Sequence, residues 1–153
     1  MPAVSTFLWF KEKAEEAARF YVSLLPNSGI QSVTRLPGDM AAVSLVELTL
    51  EGRPFTIMES PMGAEPFNNS VSIVILCDSQ AEIDRLWAAL LDGGSAMACG
   101  WLKDRYGVAW QITPRRLIEM IKDKDRAKAE RALNAMNKMI KLDIAELERA
   151  LAG

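Results

Sequence analysis

An internal repeat restricts the possible folds of this chain more than any other feature. Sliding the sequence by 66 positions lays Thr6 on Ser72, Leu8 on Val74 and Phe10 on Leu76, and then Ala17 on Ile83, Tyr21 on Trp87 and Leu24 on Leu90. The order of elements repeats with the residues: a strand, a helix and three strands, twice over. In the first copy Thr6 to Phe10 reads as a strand, and residues 14–25 carry apolar side chains at helical spacing until Pro26 and Asn27 stop them. Strands follow over 30–35, 42–50 and 55–60, separated by a Pro-Gly-Asp turn and the hairpin signal Glu51-Gly52-Arg53-Pro54. In the second copy residues 70–77 form the strand. The next helix opens with Ser79 and Glu82 at capping-box spacing and closes at Gly93 and Gly94. Short strands within 96–102, a charged turn over 103–107 and a strand over 108–113 complete it. From Pro114 the pattern is helical, with Ala129, Ala132, Leu133, Met136, Met139 and Ile140 along one stripe and Asp143 three residues before Glu146 as a cap.

With 153 residues, half of them hydrophobic, the chain can bury one core. The expectation is a single domain of class α+β made of a first module (1–62), a second module (70–113) and C-terminal helices (114–153). Eighteen basic and 20 acidic side chains leave a net charge of −2, so no basic surface suited to nucleic acid is expected. No run approaches the roughly 18 apolar residues of a membrane span, and no cationic leader opens the chain, so the reading is cytoplasmic. Cys77 and Cys99 read as reduced, packed thiols rather than a disulfide frame. The chain has no histidine, which removes the commonest general base and the commonest transition-metal ligand together.

Four stretches carry a resemblance: "FLWF…AEEAARFYVSLLPNS", "SVSIVILCDSQAEIDRLWAAL", "CGWLKDRYGVAWQITP" and "AERALNAMNKMIKLDIAEL". Together they resemble the PhnB-like relatives of the glyoxalases, also labelled demethylubiquinone methyltransferase-like, within the vicinal oxygen chelate superfamily (glyoxalase/bleomycin-resistance). The resemblance implies two βαβββ modules forming a curved sheet with a concave pocket, and pairing as a homodimer. In metal-dependent members the first and last strands of each module supply His, Gln or Glu to one divalent metal. Carried over by position, those sites fall near Thr6, Ser72, Glu59 and Gln111. Two hydroxyls, an amide and one carboxylate are too few strong donors for a tight site, so neither metal nor cofactor is expected. A Gly-rich loop after the first strand of a doubly wound sheet, as a conventional S-adenosylmethionine enzyme would carry, is also missing from the sequence.

By the same resemblance Thr6, Leu8, Ser72, Val74 and Gln111 face the concave side, while Trp110 points toward the helices. Trp101 is read either as a cap on the pocket mouth or as a dimer contact. Lys103, Asp104 and Arg105 suit either an anionic substrate or an ordinary charged hairpin tip. Glu59 is the candidate general base, since a carboxylate facing an apolar pocket can hold its proton more tightly; the alternative is an exposed strand-end carboxylate. The loop Pro61–Ser70 reads as a lid or as a plain connection. Three functions follow: binding of a small, partly apolar molecule without transforming it, a metal-independent or weakly metal-dependent enzyme using Glu59, or a structural dimer.

Overall fold

The computed structural model describes all 153 residues. They fall into two units, Met1–Pro66 and Phe67–Gly153. In the first, β1 (Thr6–Phe10) leads to α1 (Ala14–Leu24), then β2 (Gly29–Arg35), a 3-10 turn at Gly38–Met40, β3 (Ser44–Leu50) and β4 (Arg53–Glu59). The strands form one sheet in the order β1-β4-β3-β2, with β1 parallel to β4 and the other pairs antiparallel. In the second, β5 (Ile73–Cys77), α2 (Gln80–Leu91), β6 (Ser95–Ala96), β7 (Trp101–Lys103) and β8 (Ala109–Pro114) repeat the pattern in the order β5-β8-β7-β6. The expected pair of βαβββ modules is therefore present, strand for strand, and the fold is α+β.

The helices begin where local chemistry satisfies their first N–H groups. Ser79 Oγ accepts from Glu82 N at 3.2 Å, while Glu82 Oε2 accepts from Asp78 N at 2.8 Å, so the capping box closes on the residue before the cap. No side chain at Lys13 caps α1. Its place is taken from across the sheet by Glu59, whose Oε2 accepts from Ala14 N at 2.9 Å. Ala14, Ala17, Ala18, Tyr21 and Leu24 are buried on the inner face of α1, which packs on the sheet of the first unit.

One constant offset does not describe both elements of the repeat. The helices begin 66 positions apart, at Ala14 and Gln80, but the strands end 67 apart, at Phe10 and Cys77. Three residues (Lys11, Glu12, Lys13) join β1 to α1, whereas two (Asp78, Ser79) join β5 to α2. Side chains alternate faces along a strand, so a slip of one residue reverses every facing assignment made from the helix offset.

Beyond Pro114 lie α3 (Arg115–Ile121), α4 (Arg126–Met136) and α5 (Ile144–Ala152). Leu117, Met120, Ala132, Met139, Leu142 and Leu147 form a buried cluster among them. The stripe read as one helix through Ile140 stops at Met136. Lys138 N and Met139 N turn back to the carbonyls three residues earlier, and the Met139 and Ile140 carbonyls instead accept from Cys99 N at 2.9 Å and Gly100 N at 2.8 Å. Met139 is buried in the cluster, while Ile140 is half exposed.

Candidate functional site

Register and burial together identify the two faces of each sheet. In the first unit Leu8 lies beside Ile57 and Ile57 beside Val46, and all three are buried. Residues paired directly across strands share a face. Phe10, Glu59 and Ser44 form the next row on that same side, and the Glu59 bond to Ala14 identifies it as the side under α1. The opposite, open face carries Phe7 and Trp9 on β1, Thr56 and Met58 on β4, Leu45 and Glu47 on β3, and Ser32 and Thr34 on β2. Phe7 is 56% exposed and Trp9 38%.

The second unit follows the same logic. Leu102, Trp110 and Ile112 are buried on one side, together with Cys77. Val74, Gln111 and Trp101 form one row on the other side, with Leu76 and Thr113 in the row beyond. Gln111 Nε2 donates to Ser72 Oγ at 2.9 Å, and Val74 and Leu76 are 48% and 39% exposed.

Of the seven residues singled out from the sequence, Ser72, Val74, Gln111 and Trp101 come together on this open face. Leu8, Glu59 and Thr6 do not face that way in their own unit. Leu8 is buried beneath α1, Glu59 sits at the start of α1, and Thr6 shares their strand side at an exposed sheet end. The cause is the one-residue slip. In the strand register Phe7 is the counterpart of Val74 and Thr56 that of Gln111, while Glu59 corresponds to Pro114. Glu47 is the counterpart of Trp101. The differing strand-to-helix connections are the sequence signal from which Phe7, Thr56 and Glu47 were available.

The hairpin aromatics have a structural explanation. Asp104 is 3% exposed. Its Oδ1 accepts from Tyr106 N at 2.8 Å and Val108 N at 3.0 Å, and its Oδ2 from Trp110 Nε1 at 2.8 Å. A buried indole N–H needs an acceptor, and a buried carboxylate needs donors. Asp104 and Trp110 supply each other, so Asp104 is neither a substrate contact nor an exposed tip. Arg105 pairs with Asp92 at 3.3 Å. In the first unit, Trp9 Nε1 donates to the Ser60 carbonyl at 3.3 Å, and Gly63 lies so close to the Trp9 ring that a Cβ there would stand 3.2 Å from Cη2.

The donors do not fit the divalent metal implied by the superfamily. Of the carried-over positions, Ser72 and Gln111 lie together on one open face as a hydroxyl and an amide, Thr6 and Glu59 turn to the other side of their sheet, and no group of three or more His, Cys, Asp or Glu side chains is placed to hold an ion. The free thiols do not change this. Cys77 is buried, and desolvation, reinforced by Glu82 and Asp78, pushes its pKa up to about 11, so it remains a thiol rather than a thiolate ligand.

Comparison with known proteins agrees with this architecture. The profile of the 3-demethylubiquinone-9 3-methyltransferase family matches residues 2–113. The PhnB protein from Bacillus cereus is 34% identical, with a TM-score of 0.67 over 74% of this chain and 99% of that one. Protein PA1353 from Pseudomonas aeruginosa is 23% identical, with a TM-score of 0.63 over 74% and 98%. The fosfomycin resistance protein FosX from Mesorhizobium loti shares the fold at 13% identity, with a TM-score of 0.58 over 80% and 98%. No curated protein matches the chain. The family profile stops at Thr113, so α3 to α5 lie outside it. With matching strand order in both units, a profile match across both sheets and a relative at this identity, the chain belongs to the 3-demethylubiquinone-9 3-methyltransferase (PhnB-like) family, on the glyoxalase/bleomycin-resistance fold.

Proposed function

We propose that this protein binds a small, partly apolar molecule on an open sheet face, as a cytoplasmic homodimer and without a resident metal. The observation that carries the reading is the exposure of large apolar side chains on ordered strands, Phe7 and Trp9 on one sheet and Val74 and Leu76 on the other. Strand faces of this kind are costly to leave in water and commonly mark binding surfaces. Ser72 and Gln111 add an orienting pair: the Ser72 hydroxyl hydrogen and the Gln111 carbonyl oxygen are free to turn toward a polar substituent. Trp101, in the same row, supplies a flat apolar wall. Cys77 as a free, buried thiol suits a reducing compartment.

Acid–base turnover by Glu59 has less support, because that carboxylate is engaged at the start of α1 on the other side of its sheet. Methyl transfer in the conventional manner requires a doubly wound parallel sheet with a Gly-rich turn, and two mixed four-stranded sheets offer a different scaffold. The testing measurement is native mass spectrometry of freshly purified protein before and after chelation. The expected result is a dimer that carries an organic adduct insensitive to chelator. A stoichiometric metal lost on chelation, or a strictly monomeric protein that binds nothing from a metabolite library, overturns the reading.

A further inference from the structure

We infer that the open face of the first sheet selects a small organic cation, an amine joined to an aromatic or aliphatic body. The inference rests on the binding role proposed above and adds the ligand's charge.

The argument begins with one row of residues. Phe7, Thr56, Glu47 and Ser32 are paired in succession across all four strands, from one edge of the sheet to the other. Adjacent strands are about 4.8 Å apart, so Phe7 and Glu47 stand about 10 Å apart along the row, the span of a phenyl ring plus a short amine arm. Glu47 is exposed, and its Oε2 accepts from Ser32 Oγ at 2.6 Å. That bond orients the carboxylate and leaves its other oxygen without a protein partner. Every other side chain on this face is neutral: Phe7, Trp9, Pro54, Thr56, Met58, Leu45, Thr49, Ser32 and Thr34. Glu47 is therefore an uncompensated negative charge in a partly apolar setting with an aromatic ring at the far end of its row. An amine is drawn to the carboxylate while its apolar body lies against the ring, and an anion is repelled by the same carboxylate.

The second sheet serves as an internal control. The counterpart of Glu47 there is Trp101, and the only charged side chain on that open face is Lys103. The two faces thus differ in sign, and the preference for a cation belongs to the first alone.

The test is calorimetric titration of the full chain with 2-phenylethylamine, 2-phenylethanol and phenylacetate, which share a ring and differ in charge. The expected order places the amine at least about tenfold tighter than the alcohol, one charge-assisted hydrogen bond's worth, with phenylacetate weakest. Glu47→Gln should bring the amine to the level of the alcohol, added salt should weaken only the amine, and Phe7→Ala should weaken both. Equal binding of amine and alcohol, unchanged in Glu47→Gln but lost in Phe7→Ala, overturns the charge assignment while the apolar-face reading stands. Tighter phenylacetate, or no binding by any of the three, also overturns the inference. In that case, an organic adduct in native mass spectra would still uphold the broader reading.

Discussion

Glu59 shows how much the role of one carboxylate depends on which way its strand faces. Placed by the helix offset it would look out from the sheet as a base; placed by the strand register it reaches the first N–H of α1. An anion there satisfies an otherwise unpartnered donor and meets the positive end of the helix dipole, in place of the missing cap at Lys13. Glu59→Ala should cost about 1 kcal/mol in urea unfolding, the usual effect of removing a cap, while leaving ligand affinity within twofold. Lost affinity at full stability would return Glu59 to the binding surface. Cys77 gives a pH signature. Burial raises its pKa to about 11 from the ordinary 9.0, so the folded state favours the neutral thiol. Its contribution to stability is fully present below pH 9.0 and is lost as pH rises from there toward 11, because the unfolded chain releases that proton first. The alkaline fall in melting temperature should be smaller in Cys77→Ala, and native protein at pH 8 should leave Cys77 unmodified by a thiol reagent.

At the scale of elements, the connection between Gly100 and the tail makes the clearest prediction. Gly100 has φ +80°, and a Cβ there would lie 2.8 Å from Leu142 Cδ1 and 2.9 Å from the Ile112 carbonyl oxygen. Its N–H donates to Ile140, its carbonyl accepts from Ile112 N at 2.8 Å, and Gln80 brackets the same tail segment, donating to the Leu142 carbonyl and accepting from Ile144 N. Gly100→Ala combines backbone strain with a clash, and we expect a loss of about 2 kcal/mol or more. Amide exchange at Cys99 and Gly100 should quicken beyond that at β5. Unchanged exchange would mean that the tail holds without this bridge. These elements also show what the sequence could reveal. Helix periodicity, caps at Ser79 and Asp143, and turn residues were legible because each depends on near neighbours. The strand "TFLWF" was legible as a strand but not in its facing, because four successive apolar residues follow Thr6 and offer no alternation to read. Asp104 was ambiguous for a related reason: its partner Trp110 is six residues away, and only the closed hairpin brings the two together.

For the whole molecule, the two units predict where the chain should yield first. Each contains its own hydrogen-bonded sheet, and from Ser60 to Ser72 the chain has neither helix nor strand. Met62, Glu65, Pro66 and Asn68 are exposed along it. A protease needs several residues of backbone free to enter its cleft, and such stretches open at little cost, whereas opening a paired strand breaks a cooperative unit. A broad-specificity protease such as subtilisin under native conditions should therefore cut first between Ser60 and Ser72, giving two fragments that correspond to the two units before any smaller products. Nothing in this requires the loop to be a lid. If ligand merely stabilises the sheets, it should slow later cleavage within the units and leave the first cut unchanged; if it also slows the first cut, the loop must close over the bound molecule. Early cleavage inside α4 or α5 would instead show that the tail, rather than the connection, is the weakest part of the chain.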